Sequence, residues 1–130
     1  MTNSSSSTNP CGRILIVDDN SLGLAARRSV LEELGHKVTT SGAPLDALEL
    51  CAKQRFDVVI TDHRMPRFSG LELVRELRAR KFGGKVVILS AHLGENNIKA
   101  YHELGVNMLI SKPFDVNELR RTIDALESES

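Results

Sequence analysis

The chain has 130 residues, and its 17 basic and 17 acidic side chains give a formal net charge of zero at pH 7. This length fits one domain, and the balanced charge disfavours direct binding of nucleic acid. Hydrophobic residues make up 41% and charged residues 26% of the sequence, which is the composition of an ordinary globular protein and not of a disordered one.

The sequence predicts neither a membrane span nor a secretory signal. No apolar stretch reaches the roughly 18 residues that a span requires, and the N-terminus lacks the charged and apolar blocks of a signal peptide. We therefore expect a cytoplasmic protein. Cys11 and Cys51 are far apart in the chain and lack the spacing of a redox motif or zinc site, so we expect reduced thiols.

Residues 1–12 are polar and rich in Ser and Thr, which predicts a flexible N-terminal tail. From residue 13 onward, short apolar runs alternate with stretches whose apolar residues are three or four apart. This pattern predicts one domain over residues 13–127, in which strands alternate with amphipathic helices, and a C-terminal end at 128–130. The predicted strands are Ile14–Val17, Val38–Thr40, Val58–Thr61, Val86–Ser90 and Met108–Ile110.

The borders of the helices carry their own signals. Gly35 and Gly105 each follow a helical stretch, Pro44 stands where a first turn should begin, and Asp115 is a candidate N-cap. Strict alternation of strands and helices predicts an α/β fold. We expect a doubly wound, five-stranded parallel sheet of order 2-1-3-4-5 with helices on both faces.

Polar residues follow several of the predicted strands. The first strand runs into Asp18 and Asp19, the third into Asp62, the fourth into Ser90 and the fifth into Lys112. Parallel strands bring their carboxyl ends to one edge, so three carboxylates, a hydroxyl and an ammonium should converge there. Clustered carboxylates repel one another and need a countercharge, and oxygen ligands without His or Cys favour Mg²⁺.

This set of groups suits phosphoryl transfer, in which a carboxylate can act as the nucleophile and form an acyl phosphate. Other phosphate chemistry is disfavoured, because neither G-x-x-x-x-G-K-[ST] nor G-x-G-x-x-G follows the first strand. A hydrolase is also disfavoured, because the sequence has no G-x-S-x-G motif.

Four segments resemble the motifs of response-regulator receiver domains in two-component systems. The resemblance covers roughly residues 13–127 and implies a flavodoxin-like fold. It also implies a phosphorylation-dependent signalling switch, which is not a conventional enzyme but catalyses its own aspartyl phosphorylation and dephosphorylation. The segments are Ile14–Asn20 (ILIVDDN), Val59–Pro66 (VITDHRMP) followed by Ser69–Gly70, Val87–Ala91 (VILSA) and Ser111–Phe114 (SKPF).

The resemblance also implies roles for particular residues. Asp62 would be the phosphoacceptor, and Mg²⁺ would be held by Asp18, Asp19, Asp62 and the backbone carbonyl of Arg64. The phosphoryl group would be bound by the Ser90 hydroxyl, the Ala91 backbone N–H and the Lys112 ammonium.

The resemblance also implies features of four further positions. Lys112–Pro113 would be a cis peptide. Arg64 and His92 would tune the lifetime of the phosphoryl group. The chain departs from the family pattern at Leu109, where an aromatic switch residue is usual.

The partners implied are a sensor histidine kinase or phosphotransfer protein upstream and an output protein or domain downstream. The output partner would bind the surface formed by the fourth helix, the fifth strand and the fifth helix, with an exposed Tyr101 as an anchor. No nucleic acid or membrane is expected as a direct partner, and the chain would be a monomer or a phosphorylation-dependent dimer. Both a natural single-domain regulator and a fragment of a longer one remain open.

Simpler interpretations also remain. Asp18 and Asp19 could merely cap the first helix, and the four histidines, among them His36, are expected at the surface. As a whole, the chain could be an interaction module that works without phosphorylation. A third possibility, a phosphotransferase or phosphatase with an aspartyl nucleophile, lacks the D-x-D motif or substrate cap that it would need.

Overall fold

The computed structural model of the chain describes residues 12–65 and 68–128, over which strands and helices alternate. The strands are β1 (Arg13–Val17), β2 (Lys37–Ser41), β3 (Val58–Asp62), β4 (Lys85–Ser90) and β5 (Met108–Ser111). The helices are α1 (Ser21–Glu33), α2 (Pro44–Lys53), α3 (Gly70–Ala79), α4 (Glu95–Glu103) and α5 (Val116–Ser128).

The five strands form one parallel sheet of order β2-β1-β3-β4-β5, which confirms the predicted fold class. In its register Asp62 lies opposite Leu89, and Ser90 lies opposite Ser111. The polar residues that end the strands therefore meet at one edge, as the sequence predicted.

Alternate residues of the inner strands face opposite layers of helices. Ile14 and Ile16 of β1 belong to a core cluster with residues of α1 and α5, whereas Leu15 and Val17 pack with residues of α2 and α3. A third cluster joins α3, β4 and α4 around the buried Tyr101. Burial on both faces explains why the inner strands read as continuous apolar runs and not as alternating ones.

The predicted helix borders agree with the backbone. Gly35 and Gly105 have positive φ values of 96° and 73°, a conformation that glycine adopts without steric cost. Pro44 is in the first turn of α2. The Asp115 carboxylate accepts a hydrogen bond from the Glu118 N–H at 2.9 Å and so caps α5.

Two expectations about exposure were wrong. Tyr101 is fully buried, because its hydroxyl finds a hydrogen-bond partner in His63 and its ring packs in the third cluster. His36 is also buried, and its Nδ1 accepts a hydrogen bond from the Gly12 N–H at 3.3 Å. A polar ring can be buried when such a partner is available.

Several expectations concern parts of the chain outside the described residues. Of the predicted tail and C-terminal end, only Gly12 and Ser128 are described, and Cys11 is not. Cys51 is a free thiol. Over residues 12–65 and 68–128, no helix has the length and apolar character that crossing a membrane would require.

Candidate functional site

Three carboxylates meet at the carboxyl edge of the sheet. Asp18 and Asp19 follow β1 and Asp62 ends β3, and one oxygen from each lies within 4.8 Å of the others. Asp18 is 1% and Asp62 5% exposed, whereas Asp19 is open to solvent. Three negative charges at this spacing repel strongly, so the arrangement requires cations to balance them.

Lys112 supplies one of these cations. Its Nζ lies 2.6 Å from Asp62 Oδ1, and its backbone N–H donates to the Ser90 carbonyl at 2.7 Å, which fixes the loop after β5. The Lys112–Pro113 peptide bond is cis, as expected. Asp62 Oδ1 is buried and accepts no well-aligned hydrogen bond, so the ion pair with Lys112 is its main compensation among the described residues.

The surroundings of Asp62 raise the pKa of its carboxyl group to about 6. Burial is the largest cause, and the neighbouring Asp18 adds to it, while Lys112 acts in the opposite direction. The charged form of Asp62 is therefore costly in the metal-free pocket. A further cation beside Asp62 would lower that cost. Conversion of the carboxylate to a group that more hydrogen-bond donors or cations surround would also lower it.

Arg27 is a second cation in the pocket that the sequence reasoning missed. One of its guanidinium nitrogens forms an ion pair with Asp18 Oδ2, and the side chains of the pair are 13% and 2% exposed. Arg27 is on α1, and the next residue, Arg28, is exposed and pairs with Glu32 at the surface. A helical pattern alone does not show that this arginine, and not the adjacent Arg28, turns toward the sheet edge.

The other oxygen of Asp18 is also engaged. Its Oδ1 accepts the Asn20 backbone N–H at 2.9 Å. Burial acts to raise the pKa of Asp18, but hydrogen bonds from the protonated Asp62 carboxyl, from the Asn20 backbone and from Arg27 outweigh it and hold that pKa below its usual value. Helix α1 itself is capped by Asn20, whose side chain accepts the Gly23 N–H, so capping does not account for Asp18.

The remaining predicted residues line the same small cavity, of about 350 Å³. Ser90 is buried, and its hydroxyl donates to the His92 carbonyl at 3.0 Å and accepts the His92 N–H at 3.2 Å. Ala91 and Arg64 are exposed and contribute to the rim. The structure thus brings together the seven residues predicted to bind the metal or the phosphoryl group: Asp18, Asp19, Asp62, Arg64, Ser90, Ala91 and Lys112. His92, predicted to tune the site, is not in the lining of this cavity.

A larger cavity, of about 930 Å³, lies at the amino edge of the sheet near Phe56 and Phe82. It lacks the three clustered carboxylates, which among the described residues occur only at the carboxyl edge. Because the three carboxylates line the smaller cavity, we take that cavity, and not the larger one, as the candidate site.

The donor set of this cavity fits a hard divalent cation. Asp62 Oδ1 is a buried oxygen without an aligned donor, and the oxygens of Asp18 and Asp19 lie within 4.8 Å of it or its partner oxygen. Oxygen ligands, with one carboxylate open to solvent, match the preference of Mg²⁺ for a few carboxylates together with retained water.

Described contacts connect the residue after Asp62 to α3 and α4. The Gly70 N–H donates to the His63 carbonyl at 2.8 Å, and a Cβ at Gly70 would clash with the Asp62 carbonyl. His63 Nδ1 lies 2.6 Å from the Tyr101 hydroxyl, which connects the residue after Asp62 to α4. Ser69 starts α3 with a full capping box shared with Glu72.

This sheet, with an acidic cluster and a lysine at its carboxyl edge, defines a receiver-type α/β domain. Residues 14–124 match the family described as the response regulator receiver domain. The chain belongs to that family.

Relatives among known proteins agree with this assignment. A response regulator receiver protein of Anaeromyxobacter sp. (strain Fw109-5) is 36% identical over 104 residues, which are 80% of this chain and 44% of that protein. Sporulation initiation phosphotransferase F of Bacillus subtilis (strain 168) is 29% identical, over 85% of this chain and 90% of that protein. The chain also matches 16% of the sensory/regulatory protein RpfC of Xanthomonas campestris. It therefore spans less than half of several relatives and nearly all of another.

Solved structures show the same fold. The receiver domain of a Pseudomonas aeruginosa PAO1 sensor histidine kinase is 28% identical, with a TM-score of 0.79 over 91% of this chain and 98% of that one. That structure has a magnesium ion coordinated in its active site cleft. A receiver domain protein from Clostridium thermocellum is also 28% identical, with a TM-score of 0.82 over 90% and 94% of the two chains.

Proposed function

We propose that this chain is a two-component signalling switch that accepts a phosphoryl group on Asp62 with the help of Mg²⁺. One observation carries the proposal. The Asp62 carboxylate is buried at the end of β3, 2.6 Å from the Lys112 ammonium and in one cluster with Asp18 and Asp19. A nucleophilic carboxylate between a cation and a metal site is what phosphoryl transfer to an aspartate requires.

Each residue of the pocket has a part in this proposal. Asp18, Asp19, Asp62 and the Arg64 carbonyl would hold Mg²⁺, which when bound neutralises charge on the phosphoryl oxygens. Lys112 reaches Asp62 already and would bind a second phosphoryl oxygen. With these charges in place, the chain would catalyse its own phosphorylation and dephosphorylation.

Ser90 and Ala91 would form hydrogen bonds with the added phosphoryl group. The Ser90 hydroxyl now bonds to the backbone of His92, so it must leave that backbone to reach a phosphoryl oxygen. Ala91, at the rim, would donate its backbone N–H to the same group. Their movement would shift the loop between β4 and α4 and with it the surface that a partner contacts. Arg64 and His92 would set the lifetime of the phosphorylated state.

The proposed partners are a sensor histidine kinase or phosphotransfer protein as phosphodonor and an output protein or domain as receiver of the signal. The output partner would dock on α4, β5 and α5, where Ile98 and Met108 are exposed apolar side chains. Tyr101 does not serve as an exposed anchor there, because it is buried. We place the protein in the cytoplasm, as a monomer or a phosphorylation-dependent dimer.

Intact-mass measurement tests the proposal directly. The chain is incubated with acetyl phosphate and Mg²⁺, beside Asp62→Asn and beside a sample with chelator. We expect one phosphoryl group on the wild type and none on the variant or on the chelated protein. Lys112→Met should reduce the rate of modification on the order of 100-fold, because a preorganised cation is lost.

The measurement is repeated with a second phosphodonor, phosphoramidate, because a lack of modification by acetyl phosphate alone could be specific to that donor. If neither donor modifies the wild type and Mg²⁺ does not bind, phosphorylation is refuted and the phosphorylation-independent interaction module is favoured. A phosphoryl group that persists in Asp62→Asn would place the acceptor at another residue.

A further inference from the structure

Arg27 places a positive charge in the pocket, next to Asp18, which is one of the carboxylates proposed to bind the metal. It forms an ion pair with Asp18 Oδ2, and both side chains are largely buried. Its guanidinium carbon also lies 5.6 Å from the centre of the Phe114 ring, two residues after Lys112. Held between Asp18 and Phe114, the guanidinium has a fixed position and little access to water.

The charges of the pocket show what this cation does. Asp18, Asp19 and Asp62 carry three negative charges when ionised, while Lys112 and Arg27 carry two positive charges. One negative charge is therefore left over before a metal binds. Without Arg27 two would remain, and the attraction for a divalent cation would be greater.

We propose that Arg27 is a resident cation that competes with Mg²⁺ for Asp18 and thereby sets a low affinity of the pocket for the metal. The inference rests on the proposed Mg²⁺ site and adds a residue to it that acts against metal binding. Because such coupling is reciprocal, bound Mg²⁺ must in turn weaken the ion pair between Arg27 and Asp18.

The test compares Mg²⁺ binding by calorimetry in the wild type and in Arg27→Gln. Arg28→Gln is a matched control, because Arg28 is the next residue of α1, carries the same charge and pairs on the surface with Glu32. We expect Arg27→Gln to bind Mg²⁺ about tenfold more tightly than the wild type. The affinity of Arg28→Gln should stay within about twofold of the wild type, because its charge is exposed and screened.

Thermal unfolding gives a second readout that does not depend on phosphorylation. In chelator, Arg27→Gln should have a Tm lower by about 5 °C or more, because a buried carboxylate has lost its partner. Saturating Mg²⁺ should raise the Tm of this variant more than that of the wild type. Equal or weaker Mg²⁺ affinity in Arg27→Gln would overturn the inference and leave the metal site standing.

If Arg27→Gln does not fold, a measurement on the wild-type protein still tests whether Mg²⁺ displaces Arg27 from Asp18. The Nε–H signal of Arg27, assigned by its loss in Arg27→Lys, should exchange faster with solvent once Mg²⁺ saturates the protein. Unchanged exchange at saturation would overturn the competition. If calorimetry detects no Mg²⁺ binding in any variant, the metal site of the proposed function fails and the role of Arg27 fails with it.

Discussion

The Nδ1 atom of His63 lies 2.6 Å from the hydroxyl oxygen of Tyr101, and the two rings meet edge to face at 77°. Burial raises the pKa of Tyr101 and so keeps its hydroxyl protonated. Burial, together with the charge of Arg64, lowers the pKa of His63, which keeps the imidazole neutral. The tyrosine therefore donates to Nδ1 at neutral pH, and the residue after Asp62 is joined to α4.

The first prediction concerns this hydrogen bond. Tyr101→Phe should lower the free energy of unfolding by about 1 kcal/mol, because it removes the donor and leaves a half-buried nitrogen without it. Urea denaturation measures the change. In a His63→Ala background the same substitution should cost much less, and a full-sized loss there would show that the hydroxyl acts through something other than His63.

The second prediction concerns Gly70, which packs closely against the backbone of Asp62 and His63. An added Cβ would clash with the Asp62 carbonyl and lie 2.9 Å from His63 Cα, both of which are backbone atoms. Gly70→Ala should therefore destabilise the fold by about 3 kcal/mol. Gly42→Ala is the matched control, because a Cβ there meets nothing within 4 Å. If both substitutions had the same small effect in thermal or urea denaturation, the close packing at Gly70 would be refuted.

The third prediction concerns Arg78, whose guanidinium donates to four backbone carbonyls. It connects the end of α3 to the loops that precede β4 and β5, at distances of 2.7–3.0 Å. Arg78→Met should cost about 3 kcal/mol, because these carbonyls lose a charged donor. Arg80→Met, which breaks only an exposed pair with Glu76, should change stability by less than about 0.5 kcal/mol. Similar losses for both variants would contradict this assignment.

The fourth prediction concerns the pH dependence of the metal-free protein. Because the pKa of Asp62 is raised from 3.8 to about 6 in the folded state, folding favours its protonated form. The stability that this proton provides is complete below about pH 4 and is lost as the pH rises through about 6. Asp62→Asn cannot ionise, so in chelator it should be more stable than the wild type by about 2 kcal/mol at pH 7.5.

Denaturation at several pH values checks the sign of this effect. The difference between Asp62→Asn and the wild type should shrink toward zero as the pH falls below 3.8, where Asp62 becomes protonated in both the folded and the unfolded state. An asparagine variant that is less stable at neutral pH would mean that the ion pair with Lys112 outweighs the burial of the charge.

The strands and the acidic edge could be predicted because they depend on local pattern and topology. An apolar run such as that ending at Asp62 indicates a buried strand, and parallel order alone brings the carboxyl ends of strands together. The helix ends at Gly35 and Gly105 could be predicted because their signal is also local. A helix often ends at a residue with positive φ, and glycine is favoured at that position.

The burial of Tyr101, the burial of His36 and the inward turn of Arg27 were not predictable in this way. Each depends on a partner distant in the sequence: His63 for the tyrosine, the backbone of Gly12 for the histidine, and Asp18 for the arginine. A polar side chain is expected at the surface unless such a partner is known, and periodicity along one helix does not identify it.

The parallel register of β3 and β4 links the position of Asp62 to the packing of the whole sheet. Both strands are buried on both faces, so a slip of one residue would turn Asp62 to the other face and bring Thr61 to the position opposite Leu89. The same few residues therefore determine both the stability of the sheet and the position of Asp62 in the pocket.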